Sequence, residues 1–197
     1  MSARARFAGF TVAAAFAIGW ARFNAVPPGN LAGASIGGAF AAIDQDGKPV
    51  TGNSFAGRYR LMYFGYTSCP DVCPTDVAAL AKGLKSFEAS DADRAAQVAA
   101  IFVTVDPARD TPAAMKQFVT AFHPRLIGLT GPPEAMAALR KQFGIYAKQV
   151  PGSSPDDYLM DHFAVFYLFG PGGEPIAFLS HGATAAEITA LLDTYVR

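Results

Sequence analysis

Cysteine is scarce in this chain, with two residues in 197, Cys69 and Cys73. Two cannot build a disulfide framework, and they fall short of a four-ligand structural zinc site. Charge is thin as well. Sixteen basic residues balance sixteen acidic ones with no basic stripe or run, which argues against nucleic acid as a partner. Internal repeats and low-complexity tracts are missing, apart from an alanine-rich N-terminus. What remains is a chain of 51% hydrophobic residues, enough to bury one core in one domain.

The N-terminus has the pattern of a targeting segment. Arg4 and Arg6 precede an uncharged run from Phe7 to Ala21, 15 residues long. As a helix this run spans about 22 Å, short of a hydrocarbon core of about 30 Å. Snorkelling by Arg22 extends the span to Val26, with Trp20 near the interface. A cleaved signal peptide is the rival reading, because the lengths of the charged and apolar regions also fit it. Against cleavage, the best small-residue site, Phe23-Asn24-Ala25, puts a bulky residue three positions before the cut. The expected division is a membrane anchor over 1–26, a linker over 27–37 and a single domain over 38–197. The positive-inside bias keeps Arg4 and Arg6 cytoplasmic and places the domain on the exported side, a bacterial periplasm. A dithiol in that oxidising compartment needs a reductant, such as a thioredoxin-like partner.

The rest of the chain reads as α/β. Asp46-Gly47 predicts a hairpin turn after Phe40. Leu61–Tyr66 predicts a buried central strand, and Val77, Leu80, Ala81, Leu84 and Phe87 fall at helical spacing after it, with Pro74 in the first turn. Val98–Val105 predicts a second buried strand. Thr111-Pro112 opens a helix with Met115, Phe118, Val119 and Phe122 on one face. A short strand over Leu126–Leu129 follows, then a helix after Gly131-Pro132-Pro133 with Met136, Leu139 and Phe143 inward. Lys148–Asp157, polar and holding two prolines, reads as a loop. It leads through His162 into an apolar strand over Phe163–Phe169, a return strand over Ile176–Leu179, and a last helix capped by Thr184 and Glu187. This order predicts a mixed central sheet flanked by helices.

Both cysteines lie between the central strand and the helix that follows it. Four residues apart on a helical turn, their Cβ atoms come within about 5–6 Å on one face. That suits two thiolates converging on one ion, and the helix start lowers thiol pKa. Two thiolates with one imidazole form a soft, low-coordinate site that favours copper over magnesium or calcium. An inert exported disulfide is the bland alternative, but so small a loop gains little from closure. The third ligand must be a histidine, aspartate or methionine brought in by the fold. His162 is the best candidate, since it immediately precedes the strong strand at Phe163. His123 and His181 read as ordinary structural or surface histidines, with His181 the better placed of the two. Asp161 is a weak candidate for orienting His162.

The segments Tyr63-Phe-Gly-Tyr-Thr-Ser-Cys-Pro-Asp-Val-Cys-Pro74, Val105-Asp-Pro-Ala-Arg-Asp-Thr-Pro112, Ile127-Gly-Leu-Thr-Gly131 and Asp161-His162 closely resemble the Sco/SenC family of copper-binding cytochrome c oxidase assembly proteins. The resemblance runs from about Gly38 to the C-terminus. It implies a thioredoxin-like fold with an N-terminal anchor and a copper ion held by Cys69, Cys73 and His162. It also implies an acceptor, the binuclear copper (CuA) site of cytochrome c oxidase subunit II. The task is then binding and transfer, not catalysis. A thiol–disulfide oxidoreductase that keeps the acceptor's cysteines reduced is the alternative. A peroxiredoxin-type peroxidase fits poorly, since Thr67 is preceded by Gly65-Tyr66 with no proline.

Overall fold

A computed structural model describes residues 28–154 and 157–197. The expected anchor over 1–26 lies outside the described residues. Among those described, no helix is long and apolar enough to cross a membrane.

The two strands read as continuous apolar runs occupy the centre of the fold. Strand β3 (Tyr59–Gly65) and strand β4 (Val98–Thr104) are buried at every position and pair in parallel. Burial of every position means that both faces of these strands are covered, as the unbroken hydrophobicity requires. Tyr63 and Phe64 show the consequence. Tyr63 packs with Phe102 and Phe166, whereas Phe64 packs with Phe143 and Tyr167. Strand β5 (Leu126–Thr130) adds in parallel to β4.

The edges are antiparallel. The hairpin of β1 (Ala41–Asp44) and β2 (Pro49–Thr51) turns through Gly47 at φ 78°, and β1 pairs with β5. On the other side β8 (Val165–Phe169) pairs with β3, and β9 (Pro175–Ser180) pairs with β8. The sheet order is β2-β1-β5-β4-β3-β8-β9. Residues ahead of β1 lie along β9: Leu31 N–H donates to the Ile176 carbonyl at 3.1 Å, and Asn30 exchanges side-chain hydrogen bonds with the Phe178 backbone at 3.1 and 2.8 Å. This coverage blunts an open sheet edge.

Among the described residues, five α-helices flank the sheet: α1 (Val72–Ser90), α2 (Ala92–Ala96), α3 (Pro112–Phe122), α4 (Pro133–Gln142) and α5 (Ala185–Tyr195). Helix α1 buries Val77, Leu80, Ala81, Leu84 and Phe87, the stripe expected from spacing. It packs on α5 at Gly83, where a Cβ would stand 2.8 Å from Ile188, so the missing side chain is what lets the helices meet. Thr111 caps α3 by accepting from Ala114 N–H, and Thr184 with Glu187 forms the expected capping box on α5.

The expected loop over Lys148–Asp157 is instead a second sheet. Strand β6 (Ala147–Ser154) pairs antiparallel with β7 (Asp157–His162). Two prolines and many polar residues hide this hairpin, which stands apart from the main sheet and has an irregularity between Pro151 and Ser154. The apolar strand also begins later than expected, at Val165, leaving Phe163 48% exposed.

Candidate metal centre

Strand β3 ends at Gly65, and the chain turns through Thr67 and Ser68 before entering α1. Cys73 sits in the first turn of α1 and is fully buried, whereas Cys69 lies in the bend ahead of the helix and is half-buried. The two thiols are therefore not stacked on one helical face. Instead the Cys69 Sγ accepts from the Cys73 backbone N–H at 3.4 Å, serving an amide that the first helical turn leaves unpaired. Asp71, formally the cap residue, makes no side-chain cap bond. Gly65 lets Cys73 in, because a Cβ there would stand 2.9 Å from the Cys73 Sγ.

His162 arrives at the end of β7. Its Nε2 lies 3.7 Å from the Cys73 Sγ, and its Nδ1 is buried with no hydrogen-bond partner. Ala147 faces it across the hairpin, and the Tyr66 ring meets it edge-on at 5.7 Å between centroids. Alternation along β7 puts Tyr158, Met160 and His162 inward, with Asp157, Leu159 and Asp161 outward. Asp161 thus points away from the imidazole and stands opposite Lys148 across the hairpin, so it does not orient His162.

These contacts divide the thiols. Hydrogen bonds from the Cys73 thiol, from His162 and from the Asp71 and Cys73 backbone N–H groups hold Cys69 far below the usual thiol range, against the cost of burial. The same bond to Cys69, together with burial, pushes Cys73 upward. The pair shares a proton, with the negative charge on Cys69. Two sulfurs and an imidazole with one orphaned nitrogen are a soft donor set, which suits a copper ion. No group of three His, Cys, Asp or Glu side chains among the described residues already has the geometry of a closed metal site, so loading a metal calls for the donors to draw together.

The other two histidines differ. His123 is buried, with its Nε2 3.3 Å from Glu88 and its Nδ1 accepting from the Arg125 N–H at 3.2 Å, both nitrogens satisfied as a structural histidine requires. His181 is exposed at the rim of the opening over Cys69. That opening encloses 620 Å³, and its mouth is apolar. Val72, Val150, Leu159 and Phe163, each between 37% and 50% exposed, line it together.

Arg109 was not singled out from sequence, yet it ties the hairpin to the body. Its guanidinium pairs with Asp106 at 2.5 Å, donates to the Tyr158 carbonyl at 3.0 Å, and lies over the rings of Tyr158 and Tyr66. Tyr158 donates its hydroxyl to Asp106 at 3.0 Å. Behind the cysteine turn, Asp110 accepts from the Thr67 N–H and from the hydroxyls of Thr67 and Thr104 at 2.6 and 2.5 Å. Buried Asp76 accepts from Tyr63 and from the Gly182 N–H at 3.0 and 2.8 Å, fixing the loop that carries His181. A signal for Arg109 did exist, in its place between Asp106 and Asp110.

Comparison with known proteins agrees with this fold. The SCO1/SenC family model matches residues 29–197. Protein sco1 of Schizosaccharomyces pombe is 36% identical over 162 residues, which cover 81% of this chain and 60% of that protein. An Arabidopsis thaliana mitochondrial SCO1 homologue is 42% identical over 149 residues, 75% of this chain and 43% of that one. The chain thus spans about half the length of the curated relatives it matches. Among solved structures, Bradyrhizobium japonicum ScoI with copper bound superposes at a TM-score of 0.73 with 42% identity, covering 81% of this chain and 99% of that one. BsSco, described as a member of the Sco family of cytochrome c oxidase assembly proteins and known for a disulfide switch, superposes at 0.61 with 26% identity, covering 80% and 91%. The match to the family model and these likenesses together establish that the chain belongs to the SCO1/SenC family.

Proposed function

We propose that this domain captures a copper ion with Cys69, Cys73 and His162 and hands it to an acceptor in the assembly of cytochrome c oxidase, at the CuA site of subunit II. The observation that carries this reading is the half-buried His162, whose Nε2 faces the Cys73 Sγ at 3.7 Å while its buried Nδ1 has no partner. A histidine kept only for structure would have both nitrogens satisfied, as His123 does. Related Sco proteins have been solved with copper bound, which supports the same cargo here.

In this reading Cys69 supplies the first thiolate, because it is the group already held in charged form. Cys73 gives up its proton when copper binds, since the metal takes the thiolate. His162, on a hairpin outside the main sheet, completes the set and is the donor most easily exchanged for one from the acceptor. The apolar mouth gives a protein acceptor a surface to rest on during that exchange. Anchoring by residues 1–26 on the exported side of a membrane would hold the site near a membrane-bound acceptor and raise its effective concentration.

The test is copper uptake by anaerobically reduced protein. One copper per chain is expected, lost in Cys69→Ser and Cys73→Ser and weakened in His162→Ala, with His123→Ala and His181→Ala like wild type. Stoichiometric binding by the double cysteine variant would overturn the reading.

A second reading is favoured by the thiol asymmetry. An accessible thiolate beside a buried, protonated thiol is the arrangement of an attacking and a resolving cysteine. A thiol–disulfide oxidoreductase would reduce the cysteines of the acceptor and would itself be re-reduced by a thioredoxin-like partner. It has no need of a histidine ligand, so His162→Ala separates the two readings: copper transfer falls, whereas reduction of the acceptor's disulfide persists.

A further inference from the structure

Strand β3 leads to the cysteines at one end and carries an unmatched charge at the other. Arg60, its second residue, lies five residues before Gly65, about 17 Å away along the strand. The residue is 6% exposed. The Nε is buried with no hydrogen-bond partner, and no carboxylate of the described residues stands within ion-pair distance of the guanidinium. The group lies 5.5 Å from the centre of the Phe169 ring, a contact that leaves its fork of N–H donors unused.

A cavity of 290 Å³ opens onto this guanidinium, walled by Gly38, Gly52, Asn53, Gly172 and Gly173 among others. At roughly 30 Å³ per water, that is space for about ten waters. Gly173, at φ 92°, keeps the wall open, because a Cβ there would stand 2.6 Å from an Arg60 terminal nitrogen. Arginine remains charged when buried, and an unpaired buried charge is expensive. Among the described residues, the one carboxylate whose charge acts on Arg60 is that of Glu174, which is exposed and is folded against Gly170 and Gly172. Among the described residues that line the cavity itself, Arg60 alone is titratable.

We propose that the Arg60 cavity is a binding site for a small oxyanion, a carboxylate or phosphate group held by the guanidinium fork. Two oxygens on one atom match the two parallel N–H directions of arginine, and the amide of Asn53 offers a further donor in the wall. Glu174 at the rim repels the anion and tunes its affinity. The site lies at the far end of β3 from Cys69 and Cys73, so anion and copper bind without competing.

Calorimetric titration of the full chain with sodium phosphate, and separately with sodium acetate, at constant ionic strength and pH 7 tests the proposal. Saturable binding of at least one anion is expected. Arg60→Gln should weaken it about tenfold or more, as the loss of charged hydrogen bonds implies. Arg60→Lys, which keeps the charge but not the fork, should retain weakened binding and guards against a folding failure of the first variant. Glu174→Gln should tighten binding several-fold, and copper uptake should be unchanged in all three. Phosphate alone, acetate alone or both would identify the class of oxyanion. The proposal is overturned if neither anion saturates, or if Arg60→Lys and Arg60→Gln bind like wild type. It is also overturned if Glu174→Gln abolishes anion binding or lowers stability in anion-free buffer as much as Arg60→Gln does, since Arg60 and Glu174 are then each other's partner.

Discussion

The guanidinium of Arg109 lies 3.6 Å from the centre of the Tyr158 ring, and this contact fastens the hairpin of His162 to the parallel strands of the main sheet. Without it, β6 and β7 pair chiefly with each other, in a two-stranded sheet separate from the main one. Isolated hairpins are marginal in water, so the placement of His162 depends on side chains that reach across from Asp106 and Arg109.

Loosening that contact should therefore weaken copper binding without touching a ligand. Arg109→Lys keeps the charge but loses the stacking and the carbonyl bond. The expected cost is about 1 kcal/mol, or roughly fivefold in copper affinity. Faster hydrogen exchange over 147–162 should accompany it, with the main sheet unchanged. Tyr158→Phe, which loses only the bond to Asp106, should fall between that variant and wild type. An Arg109→Lys protein with wild-type exchange in the hairpin would end the idea.

Gly65→Ala should damage the site from below. The added Cβ would stand 2.9 Å from the Cys73 Sγ, 2.9 Å from the Tyr63 ring and 3.0 Å from the Phe102 ring. All three neighbours are fully buried, so none yields cheaply. Overpacking of this kind costs about 1–3 kcal/mol, seen as a lower thermal midpoint. Copper affinity should fall with it, because Cys73 is the group displaced. Gly128→Ala, whose Cβ would meet the side chains of Met115 and Val119 at 3.1–3.2 Å, is the comparison: stability should drop with copper binding kept.

The main sheet was legible because its strands and helices carry strong local signals. Leu61–Tyr66 and Val98–Val105 were unbroken apolar runs, and Thr111-Pro112 and Thr184 with Glu187 were helix starts whose capping bonds form as expected. The β6–β7 hairpin was not legible. Its strand Asp157–His162 does alternate inward and outward, but short polar strands with prolines nearby look like loop, and only pairing reveals them. The position of Cys69 relative to Cys73 was half legible. Spacing placed them together, yet helical geometry put both on one face, whereas Cys69 lies ahead of the helix and uses its sulfur where a cap side chain would serve. Arg109 escaped notice because its partners, Tyr158 and Tyr66, are distant in sequence.

Asp110 should give stability a pH dependence. Burial, the largest influence on it, raises its folded pKa, and the hydrogen bonds from Thr104 and Thr67 oppose this only in part. With an unfolded value of about 3.9, the folded state holds the proton more tightly. Stability from this group is thus full below about pH 4 and is lost as pH rises through the folded value. Asp110→Asn removes the titration but sets an amide N–H₂ against hydroxyl and amide donors. At pH 4 the variant should be less stable by about 1–3 kcal/mol in urea unfolding, with the gap narrowing toward pH 8. A gap that widens with pH would show that the threonine donors outweigh burial.

The division of charge between the two thiols makes the sharpest demand. Alkylating reagents attack the thiolate, so reactivity against pH follows each group's titration. In reduced, metal-free protein, Cys69 should be modified first, with a midpoint below the usual 8.5 or so for a free thiol. Its rate at saturation should stay modest, because a thiolate of low pKa is a weaker nucleophile. Cys73 should stay unmodified until well into the alkaline range, being fully buried and held protonated by Cys69. Cys69→Ser removes the leading influence that raises Cys73, so the Cys73 midpoint should move down while burial keeps it above that of an exposed thiol. His162→Ala should move Cys69 upward, since the imidazole is one of the donors that favour its thiolate. Copper, when bound, should protect both. Mass spectrometry of peptides after timed alkylation assigns each event to its residue. If Cys73 reacts before Cys69 in the wild-type protein, the charge resides on the buried thiol, and the hydrogen bond between the two thiols does not hold Cys69 in charged form as ascribed to it.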